Sequence, residues 1–186
     1  PRRRAHRGGS RASGTGGWCR IRIGARSAQP VLGFARRVTT VFTVGHSTRP
    51  LDEFVALLRG FDVEVLVDIR TVPKSRRNPQ YHQDALAVSL PSAGVQYRHL
   101  AGLGGLRRPA KDSPNGAWRN DSFRGYADYM GSPAFEDALE ELIGLTTESV
   151  TAIMCAEAVY WRCHRSLVAD ALLVQASTCG TSCPRF

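Results

Sequence analysis

The chain has 186 residues, about the size of one domain with a core of its own. Its 42% apolar content argues for a globular chain rather than a disordered one, and no stretch approaches the roughly 18 uninterrupted apolar residues of a membrane span. The formal charge of +9 belongs to one end: residues 1–40 carry ten arginines and no acid, leaving 15 basic against 16 acidic residues in the rest, so a broad nucleic-acid face on the domain itself is not expected.

The first forty residues are rich in Gly, Ser and Arg with little apolar pattern, and predict a disordered leader. A nucleic-acid arm, a transit-type segment and a chain start near Val38 are further readings of the same stretch. Residues 1–30 lack an apolar signal core and the five cysteines are an odd number. Both point to a reducing, cytoplasmic setting in which cysteines act as thiols or ligands.

From residue 41 the patterning becomes regular. "VFTV" (41–44) predicts a buried strand closed by Gly45-His46-Ser47, with Ser47 or Thr48 as cap of a helix beginning at Pro50 and lined by Leu51, Phe54, Val55, Leu57 and Leu58. "VEVLVDI" (63–69) is apolar on both faces, as a central parallel strand should be. A loop with two prolines and the cations Lys74, Arg76 and Arg77 follows, then a short helix at 84–90 and a strand at 94–100. Residues 101–121 predict a long irregular loop, a feature that in a compact domain is usually functional or disordered. Helices are expected over 122–130 and 133–145 and a strand over 150–155. A last helix over 163–175 should bury Leu167, Val168, Ala171, Leu172 and Val174, and residues 176–186 read as an irregular tail. This alternation predicts a three-layer α/β domain over 41–175, an open, mostly parallel sheet with helices on both faces.

Such a sheet binds ligands beyond the carboxyl ends of its strands. The residues at those ends are His46, then Asp68 and Arg70, then His99, then Cys155 and Glu157. They come from distant positions and should converge on one edge.

Five segments in order resemble the family known as domain of unknown function 488: "TVGHSTRPLDEFVALL" (43–58), "LVDIRTVPKSRRNPQY" (66–81), "GVQYRHLAGLGGLRRP" (94–109), "SFRGYADYM" (122–130) and "IMCAEAVYWRCHRSLVADAL" (153–172). The resemblance covers about 41–175 and implies a small intracellular α/β domain with no settled reaction. It carries over His46, Asp68, Arg70, Pro73, Ser75, Arg124, Cys155, Glu157, Cys163, His164 and Arg165 as site positions. Relatives continue past the last helix into a glycine and a short strand. Here "ASTCGTSCPRF" stands instead, like a shifted reading frame, so the sheet is expected to lack an edge strand.

The segment 155–165 concentrates the chemistry. Cys155 and Arg162 are separated by six residues, with Glu157 between them; a cysteine-phosphatase loop has five, and a carboxylate there would repel a phosphate dianion. Cys163 is expected at the start of the last helix, where the dipole and Arg162 or Arg165 would favour a thiolate. His164 need not pair with it, since adjacent helical residues point about 100° apart. Cys155, Cys163 and His164, completed by His46 or Glu157, could instead hold zinc, although the spacing matches no standard zinc motif. The bland alternative makes Cys163 a small buried residue and Glu157–Arg165 an ion pair.

The expected function is an enzyme using a cysteine thiolate in an arginine-lined pocket on an anionic substrate, of which a nucleotide is one case. Catalytic roles fall to Cys163, Cys155, Glu157, Asp68 and His46, and substrate binding to Arg70, Ser75, Arg124, His164 and Arg165. Cys163 is the more reactive thiol. The alternatives are a non-catalytic module binding an anion or nucleic acid, and the zinc site. No cofactor is assigned.

Overall fold

A computed structural model describes residues 19–23 and 39–178. Strands β1 (Cys19–Ile23), β2 (Thr39–Gly45), β3 (Val65–Asp68), β4 (Gln96–His99) and β5 (Thr151–Cys155) form one sheet in the order β1-β2-β5-β3-β4. The last four are parallel, and β1 joins β2 antiparallel. The helices are α1 (Leu51–Gly60), α2 (Gln83–Ser92), α3 (Asp121–Tyr129), α4 (Pro133–Glu148) and α5 (Arg165–Thr178).

The period-2 alternation of the strands splits the core into two layers. Val41, Val65, Val67 and Ile153 pack with Tyr126, Phe135, Leu139, Leu142, Leu167, Val168 and Leu172, the buried faces of α3, α4 and α5. Phe42, Val44, Leu66, Ala152 and Met154 face the other way, onto Phe54 and Leu58 of α1 and Leu86 and Leu90 of α2. The fold is therefore the expected three-layer α/β arrangement. Every residue of β3 and β5 is buried, which is why both read as apolar on both faces.

Local signals set the helix boundaries. Asn120 Oδ1 accepts the N–H groups of Ser122 and Phe123 at the start of α3. Ser132 caps α4, and Pro133 supplies a preset φ at its first position. The expected cap of α1 by Ser47 or Thr48 is not realised. Pro50 holds the cap position with no side-chain bond, and Ser47 takes a left-handed φ of 50° while donating its N–H to the Ala156 carbonyl. Asp52 and Glu53 in the first turn offset the helix dipole instead.

Three expectations need correction. The expected disordered leader contains a strand, because Cys19–Ile23 pairs with Thr39–Thr43 of β2 and covers the sheet edge next to it. The other readings of the leader fall on residues 1–18 and 24–38, and those of the tail largely on 179–186; all lie outside the described residues. The last helix begins at Arg165, because Cys163 is still extended, with φ −125° and ψ 144°. Val174 is 60% exposed, and Ala169 takes its place in the buried stripe. No helix among the described residues is long and apolar enough to cross a membrane.

Candidate functional site

Parallel pairing aligns the carboxyl ends of four strands. Gly45 stands opposite Cys155, and Asp68 opposite both Met154 and His99. Beyond the ladder, His46 donates its N–H to the Cys155 carbonyl at 3.0 Å, which brings the 45–47 turn against the loop after β5. Glycine is required at 45, because a Cβ there would collide with the Glu157 carbonyl.

One half of this edge is built around Arg70. Its Nε donates to Asp68 Oδ1 at 2.8 Å, and its Nη2 donates to Asp68 Oδ2 at 2.5 Å and to the Tyr81 carbonyl at 2.8 Å. Tyr97 donates its hydroxyl to Asp68 Oδ2 at 2.8 Å, and burial, with the Asp68 charge beside it, pushes this phenol well above its ordinary range. Arg70 Nη1 lies 3.3 Å from His46 Nε2. His46 Nδ1 bonds the Ser47 carbonyl, so the proton belongs on Nδ1 and Nε2 accepts from the arginine. Burial lowers the His46 pKa from 6.5 to about 4, and the ring lies stacked 4.0 Å from Tyr81. Asp68 and His46 are closed inside this network at 0% and 1% exposure.

The other half is built around Arg165, which is also fully buried but has no carboxylate partner among the described residues. Its Nε donates to Cys163 Sγ at 3.4 Å, its Nη2 donates to the Glu157 carbonyl, and its Nη1 finds no protein acceptor. Cys163 Sγ is 3.7 Å from His164 Nδ1, and His164 Nε2 bonds the Ile69 carbonyl at 3.1 Å. Cys155 Sγ, Cys163 Sγ and a ring nitrogen of His164 all lie within 4.8 Å of one another. The two thiols move in opposite directions. A hydrogen bond from Cys155, outweighing burial and joined by His164 and Arg165, holds Cys163 well below the usual thiol range. The same bond, together with burial, pushes Cys155 up. Both directions favour the proton on Cys155 and the negative charge on Cys163, the sulfur that faces the guanidinium.

A cleft of about 260 Å³ opens over this pair, lined by Arg70, Lys74, Ser75, Gly105, Cys155 and His164 among others. Val72 and Leu106, both exposed, form part of its wall. Gly105 lies so close that a Cβ there would come within 2.8 Å of His164 Nδ1.

The edge therefore gathers most of the expected residues, in different positions. Cys155, His164, Ser75 and Arg70 line the cleft, and Cys163 and Arg165 lie immediately behind Cys155 and His164. Arg70 is not an open anion clamp, since four of its five N–H groups are engaged within the protein. Glu157 turns its exposed carboxylate to the Val159 N–H, so neither the expected acid/base role nor an ion pair with Arg165 uses that group here; its carbonyl meets Arg165 instead. Arg124 pairs with Asp121 on α3 at 2.8 Å and does not line the cleft. His164 does approach Cys163, against the helical argument, because Cys163 is extended rather than helical. Sequence reasoning weighed Gly105 only within a weak phosphate-loop reading of Gly102–Gly105 and Tyr97 only as an aromatic able to stack a base, and not the roles they take here.

Fold and site together define an open α/β domain with a cysteine–histidine–arginine cluster at the carboxyl ends of its parallel strands. The family model described as "Domain of unknown function DUF488" matches residues 50–172, and the chain belongs to that family. No curated protein and no solved structure matches it significantly.

Proposed function

We propose that the protein is an enzyme that uses the Cys163 thiolate, behind Cys155 and His164 in the wall of this cleft, on a small anionic substrate, of which a nucleotide is one case. The observation that carries this reading is the Nε–H of Arg165 on Cys163 Sγ at 3.4 Å, with the guanidinium fully buried and no carboxylate beside it. A buried cation needs a counter-charge, and the sulfur of Cys163 is the group positioned to supply it. A thiolate formed in this way is a nucleophile in waiting. Cys155 and His164 hold the sulfur from the cleft side, and His164 Nδ1 is close enough to exchange a proton with a leaving group once the sulfur has reacted. Lys74 in the cleft wall, with Arg76 and Arg77 exposed on the same loop, favours an anionic substrate. A reducing, cytoplasmic setting goes with this chemistry, because oxidation would consume the thiolate.

Alkylation of the folded protein at neutral pH, with the modified residues mapped by mass spectrometry, tests this. Cys163 should label ahead of Cys155. Preferential labelling of Cys155 would overturn the assignment, and no labelling of either would point to a binding module instead.

A further inference from the structure

We infer that Cys155, Cys163 and His164 form a three-ligand site for a soft or borderline divalent cation of the zinc class, with a fourth coordination position open to the cleft. This rests on the reading of Cys163 as an anionic sulfur and extends it to a second role. Two thiolates and one imidazole in a three-ligand arrangement leave room for a water or substrate, as open catalytic zinc sites do. The geometry fits. A tetrahedral centre with Zn–S of about 2.3 Å and Zn–N of about 2.0 Å places its ligand atoms roughly 3.5–3.8 Å apart. The Cys163 Sγ–His164 Nδ1 separation is 3.7 Å, and all three ligand atoms fall within 4.8 Å of one another.

Two independent features point the same way. His164 Nε2 donates to the Ile69 carbonyl at 3.1 Å, which fixes the ring with Nδ1 turned toward the sulfurs, where a cation would take the place of a proton. That is the outer-shell arrangement that orients metal-binding histidines. Cys155 and His164 also line the cleft, so a cation held between them has a face toward incoming ligand. Arg165 fits as well: its Nε–H donates to Cys163 Sγ, an outer-shell bond that balances thiolate charge without occupying a coordination position.

The proton balance is simple. Binding releases to solvent the protons still held by the two thiols and by His164 Nδ1. Two thiolates then neutralise the two positive charges of the cation, and Arg165 keeps its contact with Cys163.

Cobalt(II) titration of the reduced full-length chain tests the site. One equivalent should produce a thiolate-to-cobalt charge-transfer band together with the visible bands of a tetrahedral ion, and zinc should abolish both. Cys155→Ser and Cys163→Ser should each weaken binding at least tenfold, and so should His164→Gln. Should a variant fold poorly, zinc protection of the parent protein serves in its place: stoichiometric zinc should shield both Cys155 and Cys163 from alkylation. Absence of the cobalt band, or a band that survives all three substitutions and so arises from the cysteines at 19, 179 and 183, would overturn the site. If metal fails to bind while Cys163 still labels ahead of Cys155, the metal site fails and the thiolate reading stands. If neither occurs, both fail.

Discussion

Two arginines are buried at the same end of the sheet, and they are neutralised in different ways. Arg70 meets a carboxylate through two nitrogens, a backbone carbonyl through one, and the lone pair of a neutral histidine. Arg165 meets a sulfur and one carbonyl, and keeps a buried nitrogen without a protein acceptor. A fully satisfied ion pair holds a framework and has little left to offer a ligand. A cation matched by a thiolate holds that thiolate in the charged, reactive state. The contrast assigns the Asp68–Arg70–His46 half of the edge to positioning and the Cys163–Arg165 half to chemistry.

The largest effect should come from breaking the closed half. Asp68→Asn leaves the Arg70 charge buried without its counter-ion, and should cost about 3–5 kcal/mol, the usual cost of orphaning one partner of a buried pair. Urea unfolding of the variant against the parent measures it. A loss under about 1 kcal/mol would mean that water reaches Arg70 and relieves the charge.

Acid should break the same half by another route. The folded pKa of His46 is about 4 against 6.5 for the free side chain, because burial disfavours the cation. Between those values the unfolded chain binds the proton and the folded chain does not. Stability is therefore full above about pH 6.5 and falls by roughly 3 kcal/mol toward pH 4. His46→Gln should remove that part of the slope, seen as the difference between the two pH–stability profiles. Parallel profiles would place the acid sensitivity elsewhere.

The open half predicts a smaller loss that a second change repairs. Cys163→Ala removes the side-chain hydrogen-bond partner of Arg165 among the described residues and should cost roughly 2–3 kcal/mol, less than the Asp68 change because the Cys155 sulfur stays beside the guanidinium. Adding Arg165→Met should recover most of it, since an apolar side chain of similar length needs no counter-charge. Strict additivity of the two changes would show that the groups are not coupled. The smallest effect belongs to Glu157→Gln. Arg165 uses the backbone carbonyl at 157, and the side chain is exposed and bonds only a local N–H, so stability should stay within about 0.5 kcal/mol.

Patterns with a period were legible in the sequence. The apolar runs 63–69 and 150–155 and the helical stripe of α1 specified strands and helix closely, and parallel topology alone brought His46, Asp68, His99 and Cys155 to one edge. What lacked a period was not. The pairing of Cys19–Ile23 with β2 depends on a long-range register that a Gly- and Arg-rich segment does not announce. The roles inside the site depend on which atoms face one another. Glu157 contributes a carbonyl rather than a carboxylate, and Arg124 pairs along its own helix. His164 reaches Cys163 because the chain is extended at Cys163, just before α5 starts. None of these is a property of residue type or spacing.

The central claim is that Arg165 is balanced by a thiolate on Cys163. Ultraviolet titration of thiolate absorbance in the folded protein, alongside Cys163→Ser, tests it most directly. The parent should retain about one thiolate near pH 5, far below the ordinary thiol range of about 8.5, and Cys163→Ser should retain none. Parent and variant that both gain all their thiolate absorbance near pH 8.5 would contradict it.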